Sequence, residues 1–360
     1  MITQITNYSS RLAIIHNIPK TFFKKIDGSA TFGNHLFPKW SIEIFDQTVM
    51  QLKFKAVYDD YKALPTDAER RIVLDCFVNT NKVKELCENE PVGIQIYTIE
   101  HLPASIRESI KVLFLHLYKN SLEYHKFRDY VNTSVNESIN EFLRKNRIQV
   151  CPFCGIESYL NLEGQARLPL DHWLDKSKFP FASVNHKNLI PMGKDCNGPG
   201  VKHDKNILLN GNTRRHIKVY YPLFKNLNIK VNFKFITEPN SVDFPDNTWE
   251  IKINPNEPND QIYIVSWDWI MNLKMRYKAY YKENIFPIWE STYKEYVNDP
   301  DNGLFHANNI KDFKINLGRW KGSFIVKGQP GAILYRAFID YLLTDATEGY
   351  LSGLYENFKR

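Results

Sequence analysis

Cysteine is scarce in this chain: five in 360 residues, at Cys76, Cys87, Cys151, Cys154 and Cys196. A small, odd number excludes a disulfide framework and points to a reducing, cytoplasmic setting. Cys76 and Cys87 lie in helical-looking segments and read as buried, inert thiols. No apolar run approaches the twenty or so residues of a membrane span, and no signal peptide is read at the start. The pattern GxxxxGK[ST] is missing, so no ATPase phosphate loop is expected. Internal repeats and low-complexity tracts are missing too.

What is present is ample core material. Hydrophobic residues make up 43% and aromatic residues 14%, which excludes a disordered chain. The net charge is +7 and the pI is near 8.9. The distribution of that charge is more informative than its total. From His172 to Lys218, nine basic residues oppose Asp175, Asp195 and Asp204, a local excess of +6. Such a field attracts a polyanion.

The expected fold class is α+β. Residues 1–147 read as a mainly helical region, although 1–60 are broken by Pro19, Gly28 and Pro38. Thr66-Asp67-Ala68-Glu69 is a capping box, and Ser134-Val135-Asn136-Glu137 is another. A helix from about Ala104 carries Ile106, Ile110, Leu113, Phe114 and Leu117 on one face. The helix after Ser134 carries Val135, Ile139, Phe142 and Leu143, and ends in Arg144, Lys145 and Arg147.

Residues 148–215 change texture to loops rich in Gly, Pro and Asn. Residues 216–360 form a third region of mixed strands and helices packed with the second. Alternation over Ile229, Val231, Phe233 and Phe235, and over Trp249, Ile251 and Ile253, predicts two half-buried strands. Ile262–Val265 is expected as a further strand, a helix is expected over about 266–294, and another follows Gly331.

The chemistry concentrates in residues 151–203. Cys151-Pro-Phe-Cys154 is a knuckle-type thiol pair. Asp171-His172 follows, then Asn188-Leu189, then Cys196-Asn197, with nine residues from Asn188 to Asn197. Phosphodiester hydrolysis needs a similar inventory: an activated water, neutralisation of the phosphorane charge and help for the leaving oxygen. A neutral imidazole such as His172 can accept a proton near pH 7. Asp171 is a hard oxygen ligand suited to Mg²⁺ or Mn²⁺. Neighbours in a strand point to opposite faces, so both reach one site only at a kink or strand end.

In this order the residues resemble the HNH endonuclease family, whose site is a ββα-metal module. The resemblance covers about 150–206. It implies His172 as general base, Asp171 and Asn197 as ligands of one Mg²⁺ or Mn²⁺, and Asn188 as the residue that steadies the loop and orients the histidine. Asp195 is a secondary candidate ligand. Lys176, Lys178, Lys202 and His203 are expected to meet phosphate, whereas His186 is expected to be idle and Phe179 and Phe181 to pack beneath the loop.

The family's second CxxC pair is incomplete, because Gly193 stands three residues before Cys196. Either Cys151, Cys154 and Cys196 hold a structural Zn²⁺ with a fourth ligand from elsewhere, His203 and Asp195 being the local candidates, or packing alone braces the loop.

The resemblance implies a DNA endonuclease, regulated by an ATPase or sensor partner and acting in bacterial antiphage defence. The alternatives are a non-catalytic zinc-knuckle protein that binds nucleic acid, and an RNase using the same site.

Overall fold

The computed structural model describes residues 5, 10–45, 49–159, 170–239, 244–245, 247–302, 307–326 and 328–359. They fall into two compact units, each assembled from separate stretches of chain: Ile5–Asn146 with Leu162–Lys225, and Arg147–Asn161 with Asn226–Arg360. This division departs from the expected boundaries. The 148–215 window is shared between units, because the thiol knuckle packs with the C-terminal residues and the Asp-His segment with the N-terminal helices. The α+β class holds.

The first unit is built on eight helices: α1 (Asn17–Lys25), α2 (Lys39–Phe45), α3 (Val49–Lys62), α4 (Asp67–Thr80), α5 (Val83–Glu88), α6 (Ala104–His116), α7 (His125–Val131) and α8 (Val135–Asn146). Both capping boxes form. The Thr66 hydroxyl accepts from Glu69 N at 3.2 Å, and the Ser134 hydroxyl accepts from Glu137 N at 3.2 Å. Each satisfies an amide that the first helical turn leaves free. The stripe Ile106, Ile110, Leu113 and Phe114 on α6 is fully buried.

Two antiparallel hairpins complete this unit. Strand β1 (Leu170–His172) pairs with β2 (Leu189–Pro191), with Asp171 opposite Ile190 and His172 opposite Leu189. Strand β3 (Leu209–Asn210) pairs with β4 (Thr213–Arg214). The connection from β1 to β2 is pinned to the helical core by Phe181. Its ring meets Phe23 at 5.3 Å, Phe77 at 5.5 Å and Phe114 at 5.3 Å, all edge-on. Burying one such ring contributes about 2–3 kcal/mol, which ties the loop to α1, α4 and α6. Phe179 is buried as well, so both phenylalanines pack under the loop as the sequence suggests.

The second unit centres on strands β5 (Ile229–Phe235) and β6 (Trp249–Pro255), paired antiparallel from Ile229–Pro255 to Phe235–Trp249. Both fulfil the predicted alternation. Helices α9 (Gln261–Met271), α10 (Leu273–Tyr280), α11 (Trp289–Asn298), α12 (Ile310–Ser323), α13 (Ala332–Thr344) and α14 (Glu348–Lys359) surround them. Phe233 lies among Trp249, Tyr281 and Phe338, with ring centroids 5.0–5.8 Å away.

Two expectations fail here. Ile262–Val265 is part of helix α9 and not a strand, because a short apolar run carries no period of its own. The long helix expected over 266–294 is broken. Asn272 turns left-handed at φ 50°, Tyr281–Ile285 forms a π turn, and Pro287 precedes α11. No described helix is long and apolar enough to cross a membrane.

Candidate functional site

In the first unit, His172 is the last residue of β1. A strand end is the place where adjacent side chains can serve one site. The hairpin is closed by Asn188 in two ways. Its backbone oxygen accepts from Trp173 N at 2.9 Å, and its side chain bridges the loop. Asn188 Oδ1 accepts from Leu174 N at 2.7 Å, while Nδ2 donates to Leu174 O at 3.1 Å and to Ala182 O at 3.2 Å. The residue is fully buried, so these bonds satisfy the whole amide. Asn188 thus ties Leu174 to Ala182 across the loop, and these bonds do not reach the His172 ring.

The His172 ring is oriented by two groups that the sequence did not announce. Its Nε2 lies 3.1 Å from the carbonyl oxygen of Ser183. A carbonyl can only accept, so Nε2 carries the proton and Nδ1 is the acceptor. The Tyr118 ring stands edge-on to the imidazole at 4.2 Å, and its hydroxyl donates to Leu170 O at 2.8 Å. Tyr118 reaches this position because α6 continues into a π turn over Leu117–Ser121, a deviation that recurs at functional sites. Burial holds the imidazole pKa well below its ordinary value, reinforced by Lys176 and Lys202 and opposed by the Ser183 bond. The ring is therefore neutral at pH 7.

Asp171 is also buried, and its partner is a lysine. Lys202 Nζ lies 2.8 Å from Asp171 Oδ2, and it donates to the backbone oxygen of His172. The ion pair holds by distance, yet no donor is aligned on Asp171 Oδ2. Burial pushes the Asp171 carboxyl up, against the pull of Lys202.

Lys202 is placed by the stretch 194–204, which consists of turns and bends. Asn197 N bonds Gly193 O at 3.0 Å, and Lys202 N bonds Cys196 O at 3.2 Å. A helix completing a ββα module is not formed over this stretch, because Gly198, Pro199 and Gly200 interrupt it.

The other candidates are placed as follows. Asn197 is half-buried and Asp195 exposed. Lys202 is sealed from solvent and cannot meet a phosphate, which corrects its expected role. His203 is exposed, 3.9 Å from Asp204. Lys178 donates to Asp204 O at 2.9 Å, and Lys176 is exposed, with its ammonium 5.9 Å from the Tyr118 ring centre.

In the second unit, Cys151-Pro-Phe-Cys154-Gly155 forms a tight knuckle. Gly155 N bonds Cys151 O at 2.8 Å, and Cys151 N bonds Glu157 O at 2.8 Å. Gly155 sits at φ 69°, where a side chain would be strained. The knuckle carbonyls are held from α9 and α10. Trp267 Nε1 donates to Phe153 O at 2.8 Å, and the Tyr277 hydroxyl donates to Cys154 O at 2.9 Å.

The thiol sulfurs of Cys151 and Cys154 and a carboxylate oxygen of Glu157 lie within 4.8 Å of one another. These three residues could hold a metal ion. Two thiolates and a carboxylate suit zinc better than a hard cation. The additional candidate ligand here is Glu157, where the sequence offered His203 and Asp195. Its signal was in the sequence, as an acid three residues past Cys154. Cys196 is buried in the first unit. Compared with protein-family models, with curated proteins and with solved structures, the chain matches none.

Proposed function

We propose that this chain is an HNH-type endonuclease that hydrolyses phosphodiester bonds of DNA. The observation that carries the proposal is the His172 arrangement: a neutral imidazole at a strand end, its Nε2 proton committed to Ser183 O and its Nδ1 left as acceptor, next to a buried carboxylate. Nδ1 takes a proton from water as the water oxygen bonds to phosphorus and the P–O bond to the leaving oxygen breaks. Tyr118 and Asn188 hold the ring and the loop in place. Lys176, exposed beside Tyr118, can draw the phosphate backbone towards the site.

The unaligned Oδ2 of Asp171 fits a hard cation, provided that Lys202 moves off it. Asp171 and Asn197 would then hold Mg²⁺ or Mn²⁺, which would supply charge neutralisation at phosphorus and at the leaving oxygen. Zn²⁺ is proposed at the knuckle, on Cys151, Cys154 and Glu157, with Cys196 as the thiol that the sequence order pairs with them. A site closed by Lys202 suits a regulated nuclease of bacterial antiphage defence, opened through a partner such as an ATPase or sensor.

The test is nicking of supercoiled plasmid in Mg²⁺ or Mn²⁺, with His172→Ala beside the parent chain. Nicking that disappears in the variant supports the enzyme. The burial of Asp171 against Lys202 favours a second reading, a non-catalytic zinc-knuckle protein that binds nucleic acid. Salt-sensitive binding without nicking in either cation would select it. Cleavage of RNA but not DNA would select the RNase.

A further inference from the structure

The first unit holds a cavity of about 710 Å³ between α1, α4 and the β1–β2 loop. Its charge is one-sided. Lys20, Lys24, Arg71, Lys82 and Lys187 line it, and the single acid is Asp75, already paired with Arg71 at 3.1 Å. Five cations against one anion leave a net +4. Its apolar lining includes Phe23, Phe77 and Val78. A volume in this range accommodates a cofactor-sized ligand.

Inorganic phosphate would satisfy the lysines alone. A ligand that also fills the apolar lining must carry an apolar body beside its negative charges. A nucleoside triphosphate has that body, and its phosphates carry about four negative charges near neutral pH.

The cavity also touches the loop that places His172. Asn185 and Lys187 line it, and the Asn185 side chain donates to Asn81 O at 3.1 Å and to Asn81 Oδ1 at 3.0 Å. Two residues earlier, Ser183 provides the carbonyl that orients the imidazole. We infer that this cavity binds a nucleoside triphosphate as an effector and that the bound nucleotide grips the 183–188 loop. No phosphate-loop motif announces the site, because its cations come from α1, α4, the link from α4 to α5 and the β1–β2 loop. The regulatory part of the inference rests on the reading of His172 as base; the binding part does not.

The test is calorimetric titration of the full chain with ATP, GTP, CTP, UTP and sodium tripolyphosphate, followed by hydrogen exchange. At least one nucleotide should bind about tenfold or more tightly than tripolyphosphate. The double variant Lys20→Glu, Lys24→Glu should weaken that nucleotide by about tenfold or more; both lysines are exposed on α1, and a thermal melt checks its folding. Nucleotide should slow exchange at Asn188 N, which bonds Asn185 O at 2.8 Å. Equal affinity for tripolyphosphate, indifference to the charge reversal, unchanged exchange at Asn188 or silence from all four nucleotides would each overturn it. None of these readouts needs cleavage. A chain that binds nucleotide yet never nicks plasmid would sink the nuclease reading and leave the site standing.

Discussion

Lys202 Nζ lies 2.8 Å from Asp171 Oδ2, and their side chains are only 1% and 7% exposed. A sealed ion pair of this kind is costly to break from one side. Removing the lysine strands a buried carboxylate, whereas removing both charges strands neither. Lys202→Met should therefore destabilise the chain by about 3–5 kcal/mol in urea unfolding. Asp171→Asn combined with Lys202→Met should recover most of that loss. Equal destabilisation by the single and double variants would show that the two residues do not act as a pair.

The same pair bears on catalysis. An ammonium on Asp171 competes with any divalent cation there, so activity should need more Mn²⁺ than the carboxylate alone would. At a temperature where Lys202→Met remains folded, half-maximal nicking should move to lower Mn²⁺ by about tenfold, roughly 1.4 kcal/mol of relieved competition. An unchanged Mn²⁺ requirement would mean that Lys202 does not stand in the cation's place.

The knuckle predicts a metal content. Zinc binds through thiolates, and Glu157 adds a carboxylate within 4.8 Å of both sulfurs. The purified chain should carry one Zn²⁺ per molecule, and Cys151→Ser should lose it. Glu157→Gln should keep zinc but release it to a chelator at about tenfold lower concentration. Zinc retention unchanged by Glu157→Gln would remove Glu157 from the ligand set.

Much of this fold was legible because its signals are local. Thr66 with Glu69 and Ser134 with Glu137 are three residues apart, and each pair forms the predicted cap. The alternation in β5 and β6 is visible within seven residues. Asn188 likewise bonds backbone of its own loop, at Leu174 and Ala182. What escaped was long-range. Tyr118 is 52 residues from the Leu170 carbonyl it bonds, and Lys202 is 30 residues from His172. Nothing in a spacing says that a lysine expected at the surface will be sealed against a carboxylate. The break at Asn272 was missed for a different reason. Asparagine adopts a left-handed turn more readily than most residues but does not require it, so the aromatic run through it still read as one helix.

Gly331 offers a test of backbone fit in the second unit. It sits at φ 72° before α13, and its amide donates to Gly155 O at 2.9 Å. A Cβ there would come within 2.3 Å of the Tyr280 ring. Gly331→Ala should cost about 2–4 kcal/mol, from left-handed strain plus the displaced ring. Adding Tyr280→Ala should relieve the clash and leave the strain of about 1 kcal/mol or more, so the two substitutions should couple. Additive losses in urea unfolding would mean that the ring is not what Gly331 accommodates.

His16 predicts how stability depends on pH. Burial lowers its pKa from 6.5 to about 4, with Lys20 acting in the same direction and Asn81 against them. Between those values the unfolded chain binds a proton that the folded chain refuses. Stability therefore rises with pH over this window. The contribution is complete above about pH 6.5 and is lost as pH falls towards 4, on the order of 3 kcal/mol. Carboxylates titrate in the same range, so the comparison must be internal. Urea unfolding at pH 7 and pH 4.5 should show a larger loss in the parent chain than in His16→Phe, which cannot take up the proton. Equal losses in the two chains would mean that the imidazole is solvated in the folded state.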